Sequence, residues 1–198
     1  MADTKVSIED IKKLKELSGA GLTDAKQALV EAKGDFDKAL AAMRKKGLTK
    51  AEKRGDRETR EGLIGEYIHD GRIGAIVEVN CETSFVAKTD EFKDLAHKLA
   101  MQVASMNPLY VSEEDIPAEV MAERMKELEA NFKGPEDKKE MILGGQVKKA
   151  FADKVLMNQP YILDETKTVA DFIKDHIAKT GENITIKQFK RIELGVVE

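Results

Sequence analysis

The spacing of apolar residues changes once along the chain, near residue 62, and this change constrains the fold more than any other feature. Before it, apolar residues recur at the spacing of an amphipathic helix. After it, they alternate with polar residues over residues 62 to 70 and 73 to 82, as in β-strands. Asp70-Gly71-Arg72 lies between these runs and is a strong hairpin signal. We therefore expect an α+β fold, with a helical module, a linker, and a small antiparallel sheet with helices packed on one face.

Residues 1–47 predict three short helices. Capping side chains are expected where each helical pattern begins, at Ser7, Thr23 and Asp35. The predicted helix ends are Ser18-Gly19-Ala20-Gly21, Gly34 and Gly47. A bundle this small has little core, and such modules usually exist to present a surface.

Residues 48–61 are charged, lack an apolar period and predict a linker. A basic run from Arg44 to Arg60 overlaps this linker. Such a run is usually a solvated segment, and a functional electrostatic contact is the alternative.

Residues 62–198 predict the α+β core domain. In the second strand Ile76 lies on the nominally solvent side, whereas Ala75 and Val77 face the other way. An apolar residue at that position predicts a second covered face, supplied by loops or by another subunit.

Helices and one more strand are expected after the hairpin. A continuous apolar stripe predicts the first of these helices through Phe92, Leu95, Ala96, Leu99, Ala100 and Val103. Further helices are predicted over residues 117 to 132, over 136 to 156 with an interruption at Gly144-Gly145, and around 169 to 177. The stretch from Ile184 to Leu194 predicts a closing strand with a bulge near Gln188.

The composition is that of a soluble, charge-rich globular protein. Charged residues make up 35% of the 198 positions, and no apolar run approaches the roughly eighteen residues of a membrane span. The first residues lack the pattern of an export signal, so we expect a cytoplasmic protein without membrane contact. Cys81 is the single cysteine, which excludes an internal disulfide.

Reactive groups do not converge in the sequence, which favours binding over catalysis. Phosphate-binding glycine loops are missing, and His69, His97 and His176 are scattered, so no cofactor or metal is expected. The net charge of -4 and the lack of interleaved aromatics argue against direct nucleic-acid binding. RNA binding through the basic run stays as an alternative class.

The stretch "CETSFVAK", residues 81 to 88, places an aromatic ring between a strand and the next helix. One interpretation is that Thr83 or Ser84 caps a helical turn while Phe85 closes the core. The other is that the ring is offered to a partner. Buried rings are commoner than offered ones, so the residues alone favour the first interpretation.

Three stretches resemble the elongation factor Ts family. "IKKLKELSGAGLTDAKQALVEAKGDFDKALAAM" (residues 11–43) is similar to the family's three-helix domain of ubiquitin-associated type, and "EVNCETSFVAK" (residues 78–88) looks like its Thr-Asp-Phe-Val signature. The stretch from Gln159-Pro160 to "ENITIKQFKRIELG" also fits. The chain has the length of the family's short form, so the resemblance implies a homodimer whose paired sheets replace an internal duplication.

By resemblance, the chain is a guanine nucleotide exchange factor that acts on elongation factor Tu and has no catalytic residues of its own. Phe85 would insert near the magnesium site of this GTPase, and Thr83, Ser84 and Val86 would fix the loop. Leu14 and Leu22 match positions of apolar contact with a GTPase helix. Leu14 also falls on the apolar stripe of its helix, which predicts a core position, so Leu22 is the better candidate.

Two residues depart from the family pattern. Ser84 stands where the family has Asp, and we expect it to serve as an uncharged helix cap. Gln102 stands where the family often has His, and it is either a partner contact or an exposed helix residue. The rival interpretations are an unrelated core fused to an interaction module of ubiquitin-associated type, and an RNA-binding protein.

Overall fold

The computed structural model describes residues 6–18, 21–52, 54–132, 135 and 138–196, without the side chains of residues 44 and 46–52. The chain divides into two compact units. Unit 1 comprises residues 1–62, 80–92 and 171–185, and unit 2 comprises residues 63–79, 93–170 and 186–198. The predicted limits of helical module, linker and core (1–47, 48–61 and 62–198) stay a prediction.

Three helices open unit 1, as predicted: Ile8–Ser18 (α1), Leu22–Glu31 (α2) and Phe36–Glu52 (α3). Their shared core is built from Ile11, Leu14, Ala25, Ala28, Leu29, Ala39 and Met43. Three of these seven side chains are alanine, which lets the helices approach closely where they lie.

Two of the three predicted caps are confirmed. The Ser7 hydroxyl accepts a hydrogen bond from the Glu9 amide at 3.1 Å, and the Asp35 carboxylate accepts one from the Lys38 amide at 3.0 Å. The prediction for Thr23 is wrong, since α2 begins at Leu22 after Gly21, with no side-chain cap.

The prediction that Gly47 ends the third helix is also wrong, because α3 continues to Glu52. A glycine inside a helix costs only about 1 kcal/mol, which the good helix formers around it offset. Of the residues predicted to end the first helix, Gly19 and Ala20 lie outside the described residues.

Five strands occur in the described part of the chain: Glu61–His69 (β1), Ile73–Cys81 (β2), Pro160–Tyr161 (β3), Asp164–Thr168 (β4) and Ile184–Glu193 (β5). The main sheet has the order β1-β2-β5, and β3 pairs with β4 in an antiparallel ribbon. The predicted Asp70-Gly71 turn is confirmed. Both residues have positive φ, 49° and 66°, and the Arg72 amide donates to the His69 carbonyl at 2.9 Å, as in a type I′ hairpin.

The remaining helices are Ser84–Ala87 (α4), Asp90–Met106 (α5), Ala118–Ala130 (α6), Lys139–Phe151 (α7) and Val169–Thr180 (α8). The apolar stripe predicted for α5 is buried from Phe92 to Val103. The interruption predicted at Gly144-Gly145 is wrong, since α7 runs through both glycines. The prediction placed the start of this helix at residue 136, and residues 136 and 137 lie outside the described residues.

Helix α5 packs closely against β1 in unit 2. A Cβ at Gly65 would lie 2.3 Å from the carbonyl oxygen of Ala96, so only glycine fits there. Arg191 of β5 donates to the Ala104 carbonyl of α5 at 3.1 Å. The sheet therefore has one face under a helix, as predicted. Within the described residues, none of the helices combines the length and apolarity that crossing a bilayer requires.

Candidate partner-binding site

The residues 83 to 86 lie together on one helical turn at the end of β2. Thr83 is the N-cap of α4, with an extended backbone, and its hydroxyl oxygen accepts a hydrogen bond from the Val86 amide at 3.4 Å. The Thr83 carbonyl accepts from the Ala87 amide at 3.2 Å. A turn this short has no stability of its own, so these contacts hold it in place.

Phe85 projects from this turn with 80% of its surface exposed, whereas its neighbour Val86 is 7% exposed. The interpretation that the ring closes the core is therefore wrong. Val86 and Ala87 supply the buried side of the turn instead. Exposing one large ring forgoes about 2 kcal/mol of burial free energy. The exposure of Phe85 is therefore the observation that most needs a functional explanation.

Ser84 is the first residue of α4 and not its cap, so the predicted capping role belongs to Thr83. The Ser84 side chain is exposed beside Phe85. The sequence could not distinguish the two hydroxyls, because both residues are good caps and stand next to each other.

Two glutamates that the sequence analysis did not single out hold the start of the turn. Glu182 accepts hydrogen bonds from the amides of Glu82 and Thr83 at 3.1 and 3.0 Å, and one from the Thr83 hydroxyl at 2.5 Å. Glu82 in turn accepts from the Asn183 amide at 2.6 Å. No local sequence signal connects residues a hundred positions apart.

Cys81, just before the turn, is buried, and its thiol donates to the Thr83 carbonyl at 3.3 Å. Burial raises the pKa of this thiol, and the nearby charge of Glu182 raises the pKa further. The thiol is therefore neutral at physiological pH and serves as packing and as a weak donor, not as a nucleophile.

Leu14 and Leu22 have opposite surroundings within the three-helix module. Leu14 has no exposed surface, so its predicted core position is confirmed. Leu22 is 55% exposed at the start of α2. Only Leu22 is presented to solvent in this conformation.

Gln102 lies on α5 in unit 2 and is fully buried, so the interpretation as an exposed helix residue is wrong. Its amide donates to Gln159 and to the Pro160 carbonyl at 3.2 and 3.1 Å, and its oxygen accepts from the Ile162 amide at 2.9 Å. These contacts join α5 to β3 and the following turn. A polar residue inside a helical apolar stripe was the available signal for such a role.

Ile76 is 49% exposed on the sheet face opposite to α5. Its apolar neighbours on β1 and β5, also exposed, are Ile64, Ile68 and Ile192. A cavity of about 130 Å³ opens between Ile64, Ile76 and Glu78, next to Gln188 and Lys190. An apolar sheet face of this kind is typical of an interaction surface.

Comparison with known proteins gives one consistent result. The model of the family described as elongation factor Ts matches residues 5–196. The chain is 51% identical to elongation factor Ts of Thermotoga maritima over 193 residues, which cover 96% of this chain and 97% of that protein. It is 48% identical to elongation factor Ts of Moorella thermoacetica, with 96% of each chain covered. It is 44% identical to elongation factor Ts of Fervidobacterium nodosum, with 96% and 99% covered.

Proposed function

The chain belongs to the elongation factor Ts family, and from this premise we propose that it promotes release of GDP from elongation factor Tu by inserting Phe85 near the magnesium and phosphate site of that GTPase. As a translation elongation factor, it acts in the cytoplasm and by binding alone. The observation that carries the proposal is the 80% exposure of Phe85 on a turn whose other side is buried.

The physical basis is the way a GTPase holds its nucleotide. Magnesium and oriented backbone amides hold the phosphates through charge-assisted contacts, and these contacts weaken when the donors move by a fraction of an ångström. A ring wedged between nearby helices forces such a movement. Phe85 suits this task because it is rigid, apolar and already exposed, so its insertion into an apolar gap gains burial free energy.

Exchange then follows from reciprocity. If binding of this protein weakens GDP binding, GDP must weaken binding of this protein by the same factor. The factor therefore binds nucleotide-free elongation factor Tu tightly. Incoming GTP displaces it, and the protein is released unchanged.

Further contacts are proposed for the predicted residues. Leu22 is the proposed apolar contact of the three-helix module, because its side chain is half exposed. Thr83, Ser84 and Val86 hold the turn or lie beside the ring. A partner contact at Leu14 or Gln102 stays a prediction, and it requires either side chain to leave its present packing.

We also propose a homodimer formed through the outer face of the main sheet. Ile64, Ile68, Ile76 and Ile192 line that face, and a second copy of the same face would cover them. Glu78 and Gln188, joined by a hydrogen bond of 2.8 Å, lie on the same face. These polar side chains would determine how the two sheets align in the dimer.

The test is release of fluorescent GDP from elongation factor Tu with and without this protein. We expect the parent protein to accelerate release, and Phe85→Ala to lose most of the acceleration while keeping the parent melting temperature. The matched control is Leu163→Ala, which removes an exposed apolar side chain elsewhere in the chain and should leave acceleration unchanged.

Two outcomes would contradict the proposal. Without acceleration by the parent protein, the exchange function itself fails, and salt-sensitive RNA binding would then favour the RNA-binding alternative. Acceleration that survives Phe85→Ala would keep the exchange function and reject the wedge.

A further inference from the structure

We propose that Glu182 is the positioning residue of the Phe85 turn, holding it in the conformation that binds the GTPase. This inference rests on the proposed function, because it concerns the turn that is proposed to bind the GTPase. Glu182 acts on this turn through Thr83. Glu182 lies between α8 and β5, 97 positions after Phe85 in the numbering, and its carboxylate contacts the start of the turn.

The carboxylate of Glu182 contacts three donors at once. One oxygen accepts from the amides of Glu82 and Thr83 at 3.1 and 3.0 Å. The other oxygen accepts from the Thr83 hydroxyl at 2.5 Å. Hydrogen bonds to an ionised acceptor are stronger than neutral ones, so these three contacts hold the start of the turn firmly.

The third contact decides which way the Thr83 hydroxyl points. An ionised carboxylate can only accept, so the single hydroxyl hydrogen must be directed to Glu182. The lone pairs of the same oxygen are then free to accept from the Val86 amide, which caps α4. Glu182 thereby fixes the cap, and the cap fixes the direction in which Phe85 leaves the turn.

Glu182 is itself held in place from both sides. Its amide donates to the Thr180 hydroxyl at 3.3 Å, and the next amide, of Asn183, donates to Glu82 at 2.6 Å. The Asn183 side chain donates to the carbonyls of Gly55 and Arg57 at 3.1 and 2.7 Å. The carboxylate of each glutamate thus accepts a hydrogen bond from a backbone amide in the other glutamate's segment. Neither segment can therefore move without breaking these bonds.

Glutamine cannot replace Glu182 in this arrangement. If its oxygen faces the two backbone amides, its NH₂ group faces the Thr83 hydroxyl, which can then only accept from residue 182 and loses its charge-assisted bond to a carboxylate. If the amide is flipped, the NH₂ group faces two N–H donors. The first orientation costs the bond that directs the Thr83 hydroxyl hydrogen, and the second costs the pair of backbone contacts.

The direct test uses Glu182→Gln in the full-length protein and measures amide hydrogen exchange. We expect exchange at the Thr83 and Val86 amides to become about tenfold faster or more, the equivalent of one lost charge-assisted hydrogen bond, while α5 keeps its protection. The matched control is Glu165→Gln, at an exposed glutamate on β4. It should change neither the hydrogen exchange at Thr83 and Val86 nor the protection of α5.

The second readout is GDP release as a function of factor concentration. A loosened turn must be ordered when the complex forms, so we expect Glu182→Gln to raise the half-maximal concentration roughly tenfold and to keep the maximal rate within about twofold. A purely structural role would lower melting temperature and active fraction together and would not produce this split. Thr83→Val in the Glu182→Gln background should add little further loss, because both changes act through one hydroxyl.

Unchanged hydrogen exchange at the Thr83 and Val86 amides in Glu182→Gln would overturn the inference. If that variant does not fold, Glu182→Asp keeps the charge but is too short to reach all three donors, and the same readouts apply. Failure of the proposed function would appear differently: the parent protein would not accelerate GDP release, whereas the hydrogen-exchange result would still report on the turn.

Discussion

Phe85 and Val86 are neighbours on one turn of helix, yet the phenyl ring is 80% exposed and the Val86 side chain is 7% exposed. The turn therefore has a buried side that fixes it and an exposed side that is available to a partner. Because stability is expected to depend on Val86 and the proposed binding on Phe85, substitutions at the two positions can separate these roles.

Val86→Ala should lower stability, and Phe85→Ala should not. Removing two buried methyl groups from Val86 costs about 2 kcal/mol, whereas truncation of an exposed ring removes little burial. Chemical unfolding of the two variants measures this difference. Equal loss of stability in both would mean that the ring packs within its own chain in solution.

Leu22→Ala should weaken the complex with elongation factor Tu about tenfold while leaving the melting temperature within a few degrees of the parent, because one exposed anchor is lost at the proposed interface. Leu29→Ala is the control, since Leu29 is fully buried in the same bundle. That variant should lose about 2 to 5 kcal/mol of stability. Calorimetric titration with the nucleotide-free GTPase measures the affinities, and parent affinity for Leu22→Ala would remove Leu22 from the interface.

The helices and the hairpin were predictable because their signals are local. The spacing through α5 and the Asp70-Gly71 turn each specify their own conformation, whatever the rest of the chain does. The predictions at Gly47 and Gly144-Gly145 were wrong because the effect of a glycine on a helix depends on its surroundings. A glycine reduces helix propensity only slightly, and the residues around it decide whether the helix continues.

The candidate site was predictable only in part. The resemblance located residues 83 to 86, but the residues alone favoured a buried ring, because exposure depends on what the fold places opposite. Glu182 and Glu82 gave no signal, since their task is set by backbone amides from a distant segment. Gln102 was ambiguous in the sequence because a polar residue within an apolar stripe fits either a buried network or a contact.

Ile76→Lys should convert the proposed dimer to a monomer. In the proposed dimer a lysine on the outer sheet face would be buried against the second copy, and desolvating its charge would oppose association. Sedimentation equilibrium should then give a mass near 22.0 kDa in place of twice that value. Leu163→Lys, at an exposed apolar residue outside this sheet, is the control and should leave the mass of the parent unchanged.

His176, which is buried on α8 in unit 1, should make the stability of the fold depend on pH. Its Nδ1 lies 2.9 Å from the Phe172 carbonyl, and its ring contacts the Phe172 ring edge-on. Burial lowers the pKa of His176, an effect that the hydrogen bond to Phe172 partly opposes. Lys179 lowers the pKa further, and Glu91 and Asp175 raise it.

Because the folded pKa is below the unfolded value of about 6.5, the unfolded chain binds the proton more tightly, and stability should rise with pH through this range. The contribution of His176 is complete above the unfolded pKa. It falls as the pH drops below about 6.5, by up to about 1.4 kcal/mol per pH unit, until the folded pKa is reached. Urea unfolding between pH 7.5 and 5 measures this slope, against His176→Gln, whose amide can still donate to Phe172 but cannot titrate. An identical slope in the two proteins would assign the pH dependence to other groups.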